Sequence, residues 1–245
     1  MITYFLTSSP CLPDSPALNP ANGFVEELKK ALPGPCRALF IASDPDHPEH
    51  TYRFANDMVN SFAQIGIPFT QTDVLIRENQ DQCAALTSHA DLIFLCGGHV
   101  PTQNKFFRKI SLRDYLTGDS VIVGVSAGSM NAAEEVYAQP EEPGEAVDPN
   151  YEKFLFGLGL TYTMLLPHYQ KAKDNWLDGK RLYEDITYAD SMGRQFYAIV
   201  DGSFLLIKDD EDEGGEYRQE LRGEAYLIED GVLTQISQEG ETIQL

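Results

Sequence analysis

The sequence has few basic residues compared with acidic ones. Its 245 residues contain 18 lysines and arginines against 38 aspartates and glutamates, which gives a formal net charge of −20 at pH 7. A nucleic-acid-binding protein needs a basic surface to displace counterions from phosphates, and an anionic membrane surface repels an acidic chain. We therefore expect neither nucleic acid nor a membrane surface as a partner.

Cysteine and long hydrophobic runs are also scarce. The four cysteines, Cys11, Cys36, Cys83 and Cys96, form no Cys-x-x-Cys pair and show no metal-ligand spacing. No apolar stretch approaches the roughly 20 residues of a membrane-spanning helix, and the apolar residues 1–7 lack the flanks of a signal peptide. We expect reduced thiols, no bound metal and a cytoplasmic location.

The residues that are abundant indicate an α/β fold. Hydrophobic residues make up 42% of the chain, and up to about residue 135 short apolar runs alternate with longer segments of helical period. We predict one domain over residues 1–245, with three layers, a mostly parallel central sheet and flanking helices. The predicted strands are 2–6, 38–42, 69–75, 92–95, 121–125, 162–166, 196–200 and 204–208. The predicted helices are 23–31, 48–64, 79–88, 102–116 and 176–189.

The end of the chain has the turn signals of β-hairpins. An acidic run covers residues 209–213, Gly-Gly follows it, and Asp-Gly at 230–231 marks a second turn. The acidic run is expected to be a solvated hairpin tip, because it shows no metal-ligand geometry. We predict a C-terminal β-hairpin.

The segment Gly-Val-Ser-Ala-Gly at residues 124–128 is the most informative one. It follows an apolar strand and precedes residues 130–135, which are compatible with a helix. A serine on such a tight turn has a strained backbone, and glycine on either side removes side chains that would clash. The pattern predicts Ser126 as a nucleophile and the N–H group of Ala127 as an oxyanion donor.

A serine nucleophile needs a base, and the chain has five histidines. His47, His50 and His89 are expected at the surface. His168 follows the apolar run before it and stands at a predicted strand end, where parallel-sheet proteins place their chemistry. It is the candidate base, and the alternative is a structural histidine packed beside Tyr169.

The base in turn needs a carboxylate that orients the imidazole. Asp201 follows the predicted strand 196–200 directly and precedes Gly202, again at a strand end. Glu141 or Glu142, in the polar loop 139–150, is the alternative acid.

A second glycine-rich turn, Leu-Cys-Gly-Gly-His at residues 95–99, joins a predicted strand to a predicted helix. Glycine allows close approach of the backbone to a ligand, so Gly97 or Gly98 is a candidate for the second oxyanion donor. The alternative is a plain turn. Phosphate binding is not favoured, because no Lys-Ser/Thr pair follows, and Cys96 is a poor nucleophile candidate.

These motifs together resemble a known family, the serine peptidases related to aspartyl dipeptidase (dipeptidase E) and cyanophycinase. The segments that carry the resemblance are 95–99, 124–129, the Leu-Pro-His-Tyr of 166–169, and the Asp-Gly of 201–202. It covers roughly residues 35–208. It implies a fold similar to that of class I glutamine amidotransferases, with serine in place of the elbow cysteine.

The resemblance also implies roles for individual residues. Ser126 would be the nucleophile, His168 the base, and Asp201 the acid, since relatives carry a strand-end Glu-Gly there. Gly97 matches the family's oxyanion loop, as does Gly98. His99 departs from the small residue that is usual at its position.

The activity implied is hydrolysis of a peptide bond through an acyl-enzyme, by a dipeptidase or exopeptidase acting on a small peptide without a cofactor. Aspartyl dipeptidase needs a basic group for the aspartate of its substrate. The candidates for that group here are Lys171, Lys173, Lys180 and Arg181, just beyond the base. We take His99, Lys180 and Arg181 as the candidate substrate-binding residues, although the acidity of loop 139–150 disfavours acidic substrates.

Two other functions fit the same residues. One is an esterase or amidase that uses the elbow on small acyl substrates, and the other is a non-catalytic ligand-binding protein in which Ser126 only forms hydrogen bonds. A flavin or nicotinamide enzyme is not expected, because no Gly-x-Gly-x-x-Gly follows a strand. The oligomeric state stays open, with a homodimer among the arrangements considered.

Overall fold

The computed structural model describes residues 3–116, 120–210 and 216–245. Its strands are β1 (Thr3–Thr7), β2 (Cys36–Ile41), β3 (Phe69–Leu75), β4 (Leu92–Leu95), β5 (Val121–Val125), β6 (Glu135–Tyr137), β7 (Phe154–Phe156), β8 (Met164–Leu166), β9 (Trp176–Leu177), β10 (Lys180–Arg181), β11 (Gln195–Ile199), β12 (Phe204–Asp210), β13 (Glu216–Arg222), β14 (Ala225–Glu229), β15 (Val232–Ser237) and β16 (Thr242–Gln244). Its α-helices are α1 (Phe24–Ala31), α2 (Glu49–Gln64), α3 (Cys83–His89), α4 (Val100–Lys109), α5 (Ala127–Asn131), α6 (Tyr169–Ala172) and α7 (Tyr188–Asp190).

An eight-stranded sheet forms the centre of the fold, in the order β16-β13-β12-β1-β5-β4-β2-β3. Strands β1 to β5 are parallel, and β12, β13 and β16 extend the sheet in antiparallel pairing. The strands β1, β4 and β5 are apolar and almost wholly buried, as strands covered on both faces should be. The predicted α/β fold is confirmed.

Two hydrophobic clusters cover the two faces of this sheet, because successive side chains of a strand point in opposite directions. Ile93 of β4 packs in the cluster that includes Phe106 of α4. Phe94, its neighbour, packs in the other cluster, which includes Phe62 of α2. Phe94 also stacks on Phe40 with ring centroids 4.5 Å apart. Helices α2 and α4 therefore lie on opposite faces, which gives the three layers.

A second sheet, β15-β14-β11-β8, stands beside the central one and was not predicted from the sequence. Strands β8 and β11 are parallel, and β14 and β15 pair antiparallel to their neighbours. The chain passes from β11 to β12 of the central sheet through residues 200–203, where the Ser8 N–H donates to the carbonyl of Ser203. This crossing places the ends of β8 and β11 next to the end of β1.

The predicted helix at 176–189 is wrong in its first half. Strands β9 and β10 pair there as a small hairpin. Asp178 and Gly179, at its tip, have φ of 52° and 79°, the two left-handed residues of a type I′ turn. The Asp-Gly pair at 178–179 predicts a hairpin turn, and this signal should have been given more weight than the helical periodicity of the segment. A π-helical turn, Leu182–Thr187, and α7 follow.

Other predicted helices are shorter than expected. Helix α4 ends at Lys109, and Ser111 with φ of 50° separates it from a 3₁₀ turn. Helix α3 is likewise preceded by a 3₁₀ segment, Arg77–Gln82. The stretch 130–135 is not one helix, because α5 ends at Asn131 and β6 begins four residues later.

At the chain's end, β12 and β13 pair as a hairpin, and β14 and β15 close around the left-handed turn of Asp230 and Gly231. The predicted acidic tip lies largely outside the described residues, as do the first residues of the first predicted strand. The four cysteines are unpaired. Within the described ranges, no helix has both the length and the apolar character needed to cross a membrane.

Replacement of Phe94 by alanine should lower the free energy of unfolding by about 3–5 kcal/mol, because it leaves a cavity among stacked aromatic rings. Urea denaturation measures this change. The matched control is Tyr162→Ala at a side chain that is 83% exposed, where a change within about 0.5 kcal/mol is expected. Equal effects of the two substitutions would contradict the assignment of Phe94 to the core.

Candidate active site

Ser126 occupies the turn between β5 and α5 with φ of 51° and ψ of −115°. This backbone conformation is strained for a residue with a side chain and costs on the order of 1–3 kcal/mol. Backbone hydrogen bonds hold it in place. The Ser126 N–H donates to the carbonyl of Thr7 over 3.1 Å, and the Met130 N–H donates to the Ser126 carbonyl over 3.1 Å.

The glycines on either side of Ser126 are required by packing. A Cβ atom at Gly128 would overlap the backbone carbonyl of Leu95 in β4, and one at Gly124 would lie 2.8 Å from Ser129 Oγ. Real Cβ atoms essentially never come this close to a neighbour. Only glycine therefore lets the elbow pack against β4 as closely as it does.

His168 follows β8 and Pro167, and its φ of 58° turns its ring toward Ser126. Its Nε2 atom lies 3.0 Å from Ser126 Oγ, and its Nδ1 atom lies 2.6 Å from Asp201 Oδ1. An ionised carboxylate can only accept, so Nδ1 donates to Asp201. In the neutral ring Nε2 is then free to accept the proton of the Ser126 hydroxyl. The three predicted residues form one continuous chain of hydrogen bonds.

Asp201 has three partners besides His168. Its Oδ1 atom accepts from Ser8 Oγ over 2.7 Å, its Oδ2 atom pairs with Lys171 Nζ over 2.7 Å, and its N–H donates to Gln170. Burial alone would raise the pKa of Asp201, but the hydrogen bonds from His168, Lys171 and Ser8 hold it well below its usual range. Asp201 is therefore a carboxylate at neutral pH.

Ser8 is a residue that the sequence analysis missed. It is completely buried, and its Oγ atom accepts from the His168 N–H over 2.7 Å while donating to Asp201. The signal was present, since Ser8 directly follows β1 as Ser126 follows β5, and these two strands are neighbours in the sheet. Ser8 orients the imidazole–carboxylate pair from the central sheet.

The alternative acids lie elsewhere. Glu141 and Glu142 are both exposed, and of the two only Glu141 lines the pocket in front of Ser126 and His168. The acid that contacts the imidazole at 2.6 Å is Asp201.

The predicted oxyanion donors surround the nucleophile. A Cβ atom at Gly97 would lie 3.3 Å from Ser126 Cβ, so the backbone at Gly97 runs beside the serine. Gly98 packs as closely on Ser43, where a Cβ atom would come within 2.5 Å of the hydroxyl oxygen. Ala127 is the first residue of α5, where the helix provides no acceptor for its N–H group. Gly97 and Ala127 therefore lie next to Ser126, whereas the contact of Gly98 is with Ser43. Their role as oxyanion donors stays a prediction.

The three predicted substrate-binding residues are engaged within the protein. His99 accepts or donates at both ring nitrogens, to Thr102 Oγ1 and to Glu145 Oε1, each over 2.8 Å. Lys180 Nζ donates to the carbonyl of Ala146 over 2.9 Å. Arg181 pairs with Asp185 at the surface. His99 and Lys180 thus hold the loop 139–150 rather than facing the nucleophile.

His99, Glu142 and Glu145 also place ligand atoms within 4.8 Å of one another. The carboxylate of Glu145, however, already accepts from the His99 ring and from the N–H groups of Glu141 and Glu142. A cation could be bound only at the expense of these hydrogen bonds. These hydrogen bonds stabilise the loop 139–150.

A pocket of about 290 Å³ opens in front of Ser126 and His168. Its walls include Met130 and Leu182, with the loop residue Glu141 on one side. Pockets for drug-sized ligands have volumes of roughly 300–1,000 Å³. This pocket therefore suits a smaller ligand.

The fold and the Ser–His–Asp geometry define an α/β protein with a serine nucleophile elbow. The sequence profile of peptidase family S51 matches residues 4–213. The chain belongs to peptidase family S51 and is a serine peptidase, which confirms the resemblance seen in its motifs. No curated protein matches the chain.

Solved structures show the same fold at low sequence identity. A peptidase from an acI-B1 Actinobacterium is similar with a TM-score of 0.61 and 18% identity, over 99% of this chain and 96% of that one. A peptidase E-type protein from Listeria monocytogenes EGD-e is similar with a TM-score of 0.59 and 16% identity, over 97% of this chain and 100% of that one.

Replacement of Gly128 by alanine should destabilise the protein by about 2–3 kcal/mol, because the new methyl group displaces the elbow from β4. Urea denaturation measures the change. The control is Gly34→Ala, where a Cβ atom would meet nothing within 4 Å, and a change within about 0.5 kcal/mol is expected. A fully stable Gly128→Ala variant would contradict the packing described for the elbow.

Replacement of Asp201 by asparagine should change how stability depends on pH. The folded protein depresses the pKa of Asp201 below the value of about 3.9 that an unfolded aspartate has. Its ionised form therefore stabilises the fold above about pH 4, and this contribution is lost as the pH falls toward the folded pKa. We expect the variant to lose more stability relative to the wild type at pH 5 than at pH 3, measured by urea denaturation. The same difference at both pH values would contradict the depressed pKa.

Proposed function

We propose that the chain is a serine exopeptidase that cleaves small peptides, and dipeptides in particular, through an acyl-enzyme on Ser126. The observation that carries the proposal is the hydrogen-bonded chain from Ser126 Oγ through both ring nitrogens of His168 to Asp201. This geometry is that of an activated nucleophile with its base and orienting acid.

The proposed reaction begins at the serine. His168 Nε2 takes the hydroxyl proton as Ser126 Oγ attacks the carbonyl carbon of the scissile bond. The negative charge that forms on the carbonyl oxygen is stabilised by the N–H of Ala127 and by the backbone at Gly97 or Gly98. His168 then gives its proton to the leaving amine, and the C–N bond breaks. Asp201 remains ionised and stabilises the imidazolium throughout.

Water completes the cycle. His168 takes a proton from a water molecule, the resulting hydroxide attacks the acyl-enzyme, and Ser126 leaves with the proton that His168 returns. Every step uses side chains and backbone groups of this chain, so the proposed reaction needs no cofactor.

The size of the pocket supports a short substrate. Its volume of about 290 Å³ and its lining by residues 139–141 of the loop suit a short peptide. The unpaired thiols support a reducing, cytoplasmic location.

A fluorophosphonate probe tests the nucleophile. We expect the wild type to be labelled at Ser126, with mass mapping of the adduct, and Ser126→Ala to remain unlabelled. His168→Ala should slow the labelling by about 10³-fold or more, because the hydroxyl loses its base.

Hydrolysis of a dipeptide panel and of a short ester then separates the candidate functions. Cleavage of dipeptides that Ser126→Ala abolishes supports the peptidase. Hydrolysis of the ester alone would favour an esterase, and a folded protein that is neither labelled nor active would favour a ligand-binding role.

A further inference from the structure

Glu141 is an acidic residue of the pocket for which the proposed mechanism has no use. It lines the same small pocket as Ser126 and His168, while Asp201 occupies the place of the triad acid. No lysine or arginine is among the residues that line this pocket in the described part of the chain. A substrate bound at Ser126 therefore meets a carboxylate and no cation except the imidazole of the base.

The backbone on both sides of Glu141 is held. Gln139, two residues earlier, is buried and donates to Thr187 Oγ1 over 2.6 Å. The Glu141 N–H donates to Glu145 Oε2 over 2.8 Å, and His99 fixes the other oxygen of that carboxylate. A side chain on a braced backbone keeps its place when a ligand arrives, which is the condition for selective recognition.

The far side of the loop is braced as well. Asp178, in the turn between β9 and β10, accepts from the N–H groups of Gly144 and Ala146. Lys180 donates to the carbonyl of Ala146. The basic residues near the pocket therefore stabilise the loop that presents Glu141, and they do not offer their charge to a substrate.

The electrostatic surroundings of Glu141 favour a cationic ligand. Protein atoms surround much of its carboxyl although solvent reaches the side chain, and this desolvation raises its pKa to about 7. Nearby His99 and His168 favour the ionised form, whereas Glu145 and Glu142 oppose it. A cation in the pocket would offset the repulsion among these carboxylates, while an anion would add to it. The net charge of −20 also attracts cations to the protein as a whole.

We propose that Glu141 binds a cationic group on the residue whose carbonyl Ser126 attacks. The substrates are then short peptides that carry a positive charge on their first residue, on its α-amino group or on its side chain, and no acidic side chain at that position. This inference rests on the proposed function and specifies its substrate class. The charge has two sources, a free α-ammonium group or the side chain of lysine or arginine, and both would form a charge-assisted hydrogen bond with the carboxylate.

The first test compares Glu141→Gln with the wild type on matched peptides. Ala-Ala carries an α-ammonium group where N-acetyl-Ala-Ala carries a neutral acetamide, and Lys-Ala and norleucine-Ala differ in the side-chain charge. The ion pair predicts that Glu141→Gln lowers the ratio of kcat/KM between the two peptides of a pair by about 10- to 100-fold, in the pair that differs in the recognised cation, and leaves the ratio of the other pair unchanged.

The matched control is Glu142→Gln, which removes the same charge from the next residue of the loop. Glu142 does not line the pocket, so this variant should keep the wild-type preference. If both variants lost the preference for the cationic peptide equally, the preference would come from the overall negative charge of the loop, and the proposal would be overturned. A wild-type preference for Asp-Ala over Ala-Ala would overturn it as well.

The pH dependence provides a further readout. Because the pKa of Glu141 is raised to about 7, the carboxyl is neutral below that pH and pairs with a cation only above it. The ratio of kcat/KM between the peptide with the recognised cation and its matched partner should rise from about pH 6 to pH 7.5. Any titration of His168 affects both peptides equally and therefore cancels in this ratio. For an α-ammonium the ratio should fall again above about pH 8, and for a lysine side chain it should stay high. A flat ratio in the wild type would overturn the proposal.

Binding to Ser126→Ala separates this proposal from the proposed function. Calorimetry with the same peptides measures recognition without turnover. Weaker binding of the cationic peptide after Glu141→Gln in this background supports the role of Glu141 even if the wild type hydrolyses no peptide. Unchanged binding overturns that role even if serine chemistry is established.

Discussion

Ser126 keeps its strained backbone because three neighbouring strands of the central sheet end around it. The carbonyl of Thr7 in β1 accepts the Ser126 N–H, and the carbonyl of Leu95 in β4 fills the space that a side chain at Gly128 would need. The packing of the sheet thus compensates the local cost of the turn. The same strand ends bring the backbone at Gly97 beside Ser126, so the proposed nucleophile and its proposed oxyanion donor depend on one set of contacts.

The site is assembled where two sheets meet. The central sheet contributes Ser126 and Ser8, and the smaller sheet contributes His168 after β8 and Asp201 after β11. Ser8 Oγ contacts the His168 backbone and the Asp201 carboxylate and so links the two sheets at the imidazole. The chain crosses between the sheets at residues 200–203, which include Asp201, and again between β13 and β14. A relative movement of the sheets would change the distance between Ser126 and His168 on which the proposed proton transfer depends.

The acidity of the chain has a local counterpart in the pocket. Loop 139–150 presents Glu141 to the space in front of Ser126, and His99 and Lys180, which were expected to bind substrate, brace this loop instead. Their positions in the sequence, next to the oxyanion turn and beyond the base, pointed to the right region. Their partners are acidic or carbonyl groups of a distant loop, and sequence spacing cannot show such pairings.

The sequence by itself determined the elements whose signals are local. Strands β4 and β5 lie where their apolar runs predicted, since burial on both faces selects continuous hydrophobic residues. Strand β3 also has its predicted bounds, although it is an edge strand and most of its residues are exposed or half-buried. The elbow at Ser126 and the strand-end positions of His168 and Asp201 could be read in the same way. Only the tertiary structure decided the second sheet, the bridging role of Ser8 and the position of Glu141 in the pocket. Ser8 lies 160 positions from His168, Met164 of β8 pairs with Phe196 of β11 across 32 positions, and the place of Glu141 depends on how its loop folds back. No short-range pattern encodes such contacts.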